Sequence, residues 1–363
     1  MLEGAREQLF TMPARSRRWL SVLCDTAGDE SAEAAVLLAK AYTLLGRLPE
    51  SLRAYARNES RSGAVPAASR AETSEWRVRV NRLMGRQDEA RGLVEKELRA
   101  FPGSVPLGLE RLALSLESGD SWGQPDAWVL PAAAETPDPA LRAQVLSLSA
   151  LARLAARRVP EAAWAAAEAA KVVGDIDDDR LAERMETLRW LGEAESALDQ
   201  LDDAAGHLQR GLSFALAHGQ NYLQAYFSLA LSGVKAKRGD IDGAQIELDY
   251  AEDAARRYGT FPVLARAAEL RSRLCPLGVA DQIAAGNGNG EKARSAAEHL
   301  ERLSQRERQV AELVSAGHTN QQIARRLEIS QKTVETYMSR IFGKLEICSR
   351  AQIALAVGLA DNT

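Results

Sequence analysis

Near the end of the chain, hydroxyl, amide and cationic side chains have the types and spacing needed to hold a polyanion. Thr319, Asn320, Gln321, Lys332, Thr333, Tyr337, Lys344 and Arg350 can all hydrogen-bond to phosphate oxygens. On a helix advancing about 100° per residue, Glu335, Thr336, Ser339 and Arg340 fall on one stripe with Lys332 and Gly343. Val334, Met338, Ile341 and Leu345 fall on the opposite stripe, with the spacing of a buried seam. The first stripe carries only short, polar or cationic groups, so it can lie deep in a major groove about 12 Å wide. Glu335 is the exception in charge. A carboxylate there can accept a hydrogen bond from the amino group of cytosine or remain solvated at the groove edge.

Such a face works only if the chain around it fixes its helix. Ser304 with Glu307, Thr319 with Gln322, and Ser349 with Gln352 have the capping-box spacing, in which a hydroxyl and a side chain three residues on satisfy each other's backbone amides. Ser330 supplies a further N-cap, and Gly317 closes the helix before it. These signals predict helices over 305–316, 320–328, 331–346 and 350–360, with a turn of about three residues between the second and third. The fourth, "RAQIALAVGLA", is more apolar than one packed face requires. Ile353 and Val357 are expected at a dimerisation surface, with burial inside the small domain as the alternative. A two-fold dimer would match paired half-sites about 34 Å apart.

Local charge supports this reading although the whole chain is acidic. Lys and Arg number 46 against 50 Asp and Glu, a formal net charge of −4, which excludes a polycation that coats nucleic acid non-specifically. From 319 to 350, however, Arg or Lys at 325, 326, 332, 340, 344 and 350 outweigh Glu at 328, 335 and 346. Cys24, Cys275 and Cys348 are odd in number and far apart, which points to free thiols in a reducing cytoplasm. No apolar stretch reaches the roughly 18 residues of a membrane span, so the expected location is cytoplasmic, away from the membrane.

Upstream, a repeat emerges. The segments "LLGRLPESL", "LMGRQDEAR", "LESGDSWGQ", "AARRVPEAA", "ALDQLDDAA" and "AKRGDIDGA" place a small or polar turn between an apolar-periodic helix and a helix that opens on an acid followed by alanine. Their turn positions, Gly46, Gly85, Gly119, Arg157, Gln200 and Gly239, are about 34 to 43 residues apart, the period of tetratricopeptide-like hairpins. The fold class expected is therefore all-α. A tetratricopeptide-like helical-hairpin solenoid over 1–275 leads through a flexible, Asn-Gly-rich linker over 276–298 to a small four-helix domain over 299–363.

The stretch "LSQRERQVAELVSAGHTNQQIARRLEISQKTVETYMSRIFGKLEICSRAQIA" resembles the LuxR-type helix-turn-helix domain over about 55 residues. That pattern runs L-T-x-R-E, G-x-[ST]-N-x-x-I-A, L-x-[IV]-S-x-x-T-V, I-x-x-K-L and S-R. The resemblance implies that Asn320 to Ser339 form the bihelical motif, that Glu335, Thr336 and Ser339 face bases, and that pairs of domains bind two half-sites. Basic residues often stand in that family where Glu335 and Ser339 stand here, and a histidine where Tyr337 stands. The function expected is a DNA-binding transcriptional regulator of bacterial type, a homodimer on double-stranded DNA, with an unknown protein or small-molecule effector at the repeats. The alternative is a tetratricopeptide scaffold or adaptor whose C-terminal domain contacts protein.

Other signals are weak. No GxxxxGK[ST] or GxSxG motif occurs, so no catalysis and no cofactor are expected. Asp175, Asp177, Asp179 and Glu186 mimic a calcium loop, but Arg180 stands where its glycine belongs. An acidic turn capping the next helix is the better account. The histidines are not spaced as a metal site, and Trp76, Trp122, Trp128, Trp164 and Trp190 are expected in the core.

Overall fold

Each repeat turn must reverse the chain in two or three residues, which calls for a residue in the left-handed region. The computed structural model describes residues 1–26, 32–61, 67–119, 136–274, 300–345, 353, 354 and 357, and their regular structure is helical throughout. Positive φ occurs at Gly46, Gly85, Gly119 and Gly239, as the repeat pattern requires, and also at Arg157 (59°) and Asp199 (65°). The last two occupy the same place in their hairpins that glycine holds in the others. The fifth turn, expected at Gln200, falls one residue earlier, at Asp199.

Around these turns the helices pair. After α1 (Leu2–Glu7) and α2 (Pro13–Thr26) come α3 (Ala32–Leu44) and α4 (Leu48–Arg61), α5 (Ala67–Leu83) and α6 (Gln87–Ala100), and then α7 (Val105–Ser118). Next are α8 (Pro139–Ala155) and α9 (Val159–Gly174), the short α10 (Asp178–Leu181), and α11 (Glu186–Ala197) with α12 (Leu201–His218). The pairs α3–α4, α5–α6, α8–α9 and α11–α12 pack as hairpins, and α2 on α3, α4 on α5, α7 on α8 and α8 on α11 join them into a tetratricopeptide-like stack. Stacking is required because a lone hairpin leaves one apolar face wet. Asp177 caps α10 by accepting from the Arg180 amide at 2.8 Å, the capping role expected of this acidic turn. Trp76 and Trp190 are buried, but Trp164 is 55% exposed. It lies on the outer side of α9, with the Arg153 guanidinium 5.9 Å over its ring. Trp122 and Trp128 lie outside the described residues.

The remaining helices are α13 (Asn221–Lys237), α14 (Ile241–Tyr258) and α15 (Phe261–Leu274), then α16 (Gln305–Ser315), α17 (Asn320–Leu327) and α18 (Gln331–Leu345). The chain divides into two compact units, Met1–Ala230 with Ala254–Val263, and Leu231–Asp253 with Leu264–Thr363. The expected linker, 276–298, lies outside the described residues.

The interior of the first unit is charged. Arg79 donates to Glu110 at 2.7 Å and to Glu75 at 2.8 Å. Arg82 reaches Glu110 at 3.0 Å, Glu117 at 2.9 Å and Glu186 at 2.9 Å, while Arg189 reaches Glu117 at 2.7 Å. Arg184 adds Glu75 at 3.4 Å and the Gln144 side chain at 2.8 Å. The side chains of these arginines and glutamates, Arg184 excepted, are at most 6% exposed, and four arginines face four glutamates. Indole rings complete the shell, with Arg79 4.6 Å over Trp76 and Arg189 3.4 Å over Trp190. Burial alone would raise the Glu186 carboxyl, but Arg82 and Arg189 hold it down at about 2.

Far ends of the first unit also meet. Gln220 donates to the Phe10 and Ala182 carbonyls, each at 2.9 Å, and Asn221 donates to the Leu45 carbonyl at 3.3 Å. At Gly46, a Cβ would come within 2.5 Å of the Tyr258 ring, so this glycine serves both the turn and the contact.

Two outcomes follow from these features. Replacing Arg82 with Met strands buried carboxylates and should cost about 3–5 kcal/mol of stability, read as a fall in the urea midpoint. Arg157→Gly relieves an exposed left-handed residue and should stabilise by up to ~1 kcal/mol, with a smaller gain for Asp199→Gly because Asp tolerates that region better.

Candidate nucleic-acid interface

The C-terminal head is built outward from its caps. The Ser304 hydroxyl accepts from the Glu307 amide while Glu307 Oε2 accepts from the Ser304 amide at 2.7 Å. Thr319 and Gln322 repeat the arrangement at the start of α17, with the Thr319 amide donating to Gln322 Oε1 at 2.9 Å. At α18 the Ser330 hydroxyl takes the Thr333 amide at 3.0 Å. These three helices therefore start at 305, 320 and 331, as their caps predict. The box at Ser349 and Gln352 lies outside the described residues.

Between α17 and α18 the turn is Glu328 to Ser330. Glu328 takes φ 55° and ψ 41°, and the Ile329 amide returns to the Ala324 carbonyl at 3.0 Å. A non-glycine residue is held left-handed here because the turn has no spare length.

The stripe of α18 separates as expected. Val334, Met338, Ile341 and Leu345 are each at most 2% exposed and join Leu303, Val310, Val314 and Ile323 in one apolar core. Phe342 belongs to that core as well, and its place four residues after Met338 is a signal the sequence already carried. On the other side Lys332, Thr336, Arg340 and Gly343 are exposed. The Thr336 hydroxyl donates to the Lys332 carbonyl at 3.0 Å. The side chain of Ser339 and all of Arg350 lie outside the described residues.

Several expected phosphate ligands have other duties. Gln321 is exposed and Thr319 partly so, but Asn320 is buried at 7%. The Thr333 hydroxyl sits 2.7 Å from that of Ser330 within the cap, and the Tyr337 ring packs against the core. Lys344 donates to Glu307 Oε2 at 2.7 Å, so its ammonium ties the end of α18 to the first capping box. Nothing local could have revealed a partner 37 residues away.

Ile353 and Val357 lie in the head's own core, 0% and 7% exposed. Burial inside the small domain is the alternative that the sequence left open for these two side chains, and the other large apolar residues of that segment lie outside the described residues.

Glu335 is half-buried and accepts from the Tyr250 hydroxyl at 3.0 Å. Its pKa is raised, first by desolvation and then by the like charge of Glu247, against the Tyr250 bond and the opposite charges of Lys235 and Lys332. Glu307 behaves oppositely. Burial pushes it up, but the bonds from Lys344 and the Ser304 amide outweigh that and hold it below its ordinary value.

Comparison with known proteins agrees with this geometry. Residues 301–357 match the family described as "Bacterial regulatory proteins, luxR family". A putative HTH-type transcriptional regulator of Mycobacterium bovis is 41% identical over 69 residues, which is 19% of this chain and 8% of that protein. Response regulator protein VraR of Staphylococcus aureus is 38% identical over 64 residues, 18% of this chain and 31% of VraR. The matched segment thus spans under a third of either relative. A chain from the crystal structure of the APC/C hetero-tetramer Cut9-Hcn1 overlays 71% of this chain and 47% of its own length, with a TM-score of 0.47 and 16% identity. The bihelical turn, its caps and the family match identify the head, 301–357, as a LuxR-family helix-turn-helix domain.

Because Glu307 has a lowered pKa when folded, its contribution to stability is present in full above its ordinary value of 4.5 and is lost as pH falls through the folded value. Amide exchange in 305–315, corrected for intrinsic rate, should therefore quicken between pH 7 and pH 3.5. Glu307→Gln keeps a side chain able to close the capping box but should show a smaller acid effect.

Proposed function

We propose that this chain is a DNA-binding transcriptional regulator whose α18 enters the major groove of promoter DNA. Thr336, Ser339 and Arg340 meet base edges, and Glu335 accepts from a cytosine amino group when the groove offers one. Thr319, Gln321 and Lys332 carry phosphate contacts with Arg350, while Asn320, Thr333 and Tyr337 shape the helices that present them. The observation that carries this reading is the exposed ridge of Lys332, Thr336 and Arg340 on α18, held by a capped three-residue turn in a LuxR-family head.

Two copies on paired half-sites fit the two-fold symmetry common in DNA-binding dimers. The repeats receive a protein or small-molecule effector in the cytoplasm, with no catalytic step. No described helix is long and apolar enough to cross a membrane.

Selection of bound duplexes from a random pool with the full chain tests this proposal, and recovery of a palindrome is the expected result. On the selected duplex, Lys332→Ala should reduce the slope of log affinity against log salt by about one, through loss of one phosphate contact. Lys344→Ala should instead loosen the head first, because its ammonium serves Glu307. Failure to bind any duplex in dilute buffer would leave the adaptor reading in its place.

A further inference from the structure

In a linear repeat array each hairpin touches only its neighbours along the chain, and the two ends stay free. The first unit is not built that way. Its late turns come back to its first ones along two seams. At one, the turn between α12 and α13 meets the start of the chain: Gln220, 0% exposed, donates to the Phe10 carbonyl at 2.9 Å across 210 residues, and His218 Nδ1 lies 3.1 Å from the Thr11 carbonyl. Beside it Asn221 donates to the Leu45 carbonyl. At the other seam the corner between α14 and α15, Ala254–Val263, belongs to this same unit and lies on two successive repeat turns. The Tyr258 ring fills the space that a Cβ on Gly46 would need, and Pro262 stands 3.3 Å from where one on Gly85 would be. Ala255, Thr260 and Val263 of the corner are wholly buried.

The charged layer of this unit also joins helices that are not neighbours in the array. Arg82 of α5 meets Glu186 of α11 across 104 residues, and Arg184 meets Glu75 of α5 across 109. Those pairs exist only while the early and late hairpins are held together. We propose that the first unit is a latched ring with a closed and an open form, and that the α14–α15 corner is its latch. Opening costs less than the ion pairs suggest, because charges that separate regain water, and the desolvation returned offsets the attraction lost. Apolar packing regains nothing in water. The seat of Tyr258 on Gly46 and of Pro262 by Gly85 therefore weighs in full on the closed side. The latch controls access: a solute able to pair with the arginines and glutamates of α5, α7 and α11 reaches them only in the open form. Its apparent affinity falls with the closed fraction.

Amide exchange in the full chain, without denaturant, tests the latch. Tyr258→Ala removes the ring and leaves the Gly46 turn as it is. Exchange should quicken roughly tenfold, the scale of losing one half-buried side chain, in 186–197 and around Phe10 and Gln220, segments that hold no part of the corner. Gly46→Ala, which blocks the seat of Tyr258, should act alike. Gly239→Ala should not, since its φ of 80° carries the same backbone penalty but its Cβ would meet nothing within 4 Å among the described residues. In the Tyr258→Ala chain, Gly46→Ala should quicken exchange in 186–197 no more than Gly239→Ala does, because the contact it breaks is already gone. Should Tyr258→Ala not fold, Pro262→Ala is the smaller loss and should give a lesser change with the same distribution. Exchange that is unaltered in the variant that folds, or that quickens only in 41–48 and 254–263, overturns the proposal. The corner is then a local packing contact, and the two seams are independent.

Discussion

Charge taken out of water must be met by opposite charge, and the first unit is organised around that demand. Arg82, 1% exposed along its side chain, can be tolerated only because Glu110, Glu117 and Glu186 converge on it from α7 and α11. Those carboxylates are in turn tolerable only because Arg79 and Arg189 share them. Desolvation of each ion costs several kcal/mol even in a relaxed interior, so the network favours the one stacking of hairpins in which every partner is in place. An apolar interface of the same size would accept small slips between repeats. Here a slip strands a charge, and register is fixed.

In the head, the corresponding constraint is the unpaired amides at helix starts. Three short helices meet there within about 40 residues, and each begins on a hydroxyl that satisfies backbone donors. Caps define where α17 stops and α18 starts, and Glu328 in its left-handed conformation sets the angle between them. The apolar stripe then chooses which face of α18 turns inward. What remains outside is a ridge of Lys332, Thr336 and Arg340, so the candidate interface follows from the packing of the opposite side. Lys344 illustrates how closely the two are linked, since a cation at the edge of that ridge reaches Glu307 inside the first cap.

Glu335 brings the second unit's elements into one argument. The carboxylate it places on α18 is met by the Tyr250 hydroxyl of α14, which donates to it at 3.0 Å.

Local rules were legible in the residues alone. Capping pairs three apart, glycines at the repeat turns and an apolar stripe at helical spacing act within one or two helical turns, so the sequence determined where helices start, where hairpins reverse and which face of α18 is buried. It also carried Phe342 as a core position. Even Arg157 and Asp199 are readable once the turn is known to need a left-handed residue, because the repeat period places them. Tertiary structure alone decided the pairings between distant segments: Arg82 with Glu186, Lys344 with Glu307 and Tyr250 with Glu335, separated by 104, 37 and 85 residues. It also decided that Ile353 and Val357 lie inside the head and that Trp164 lies outside the core. The reason is physical. A cap or a stripe is specified by dihedral geometry that repeats every few residues, whereas an ion pair across a fold is specified only when packing has brought two backbones together, and no spacing in the chain encodes that meeting.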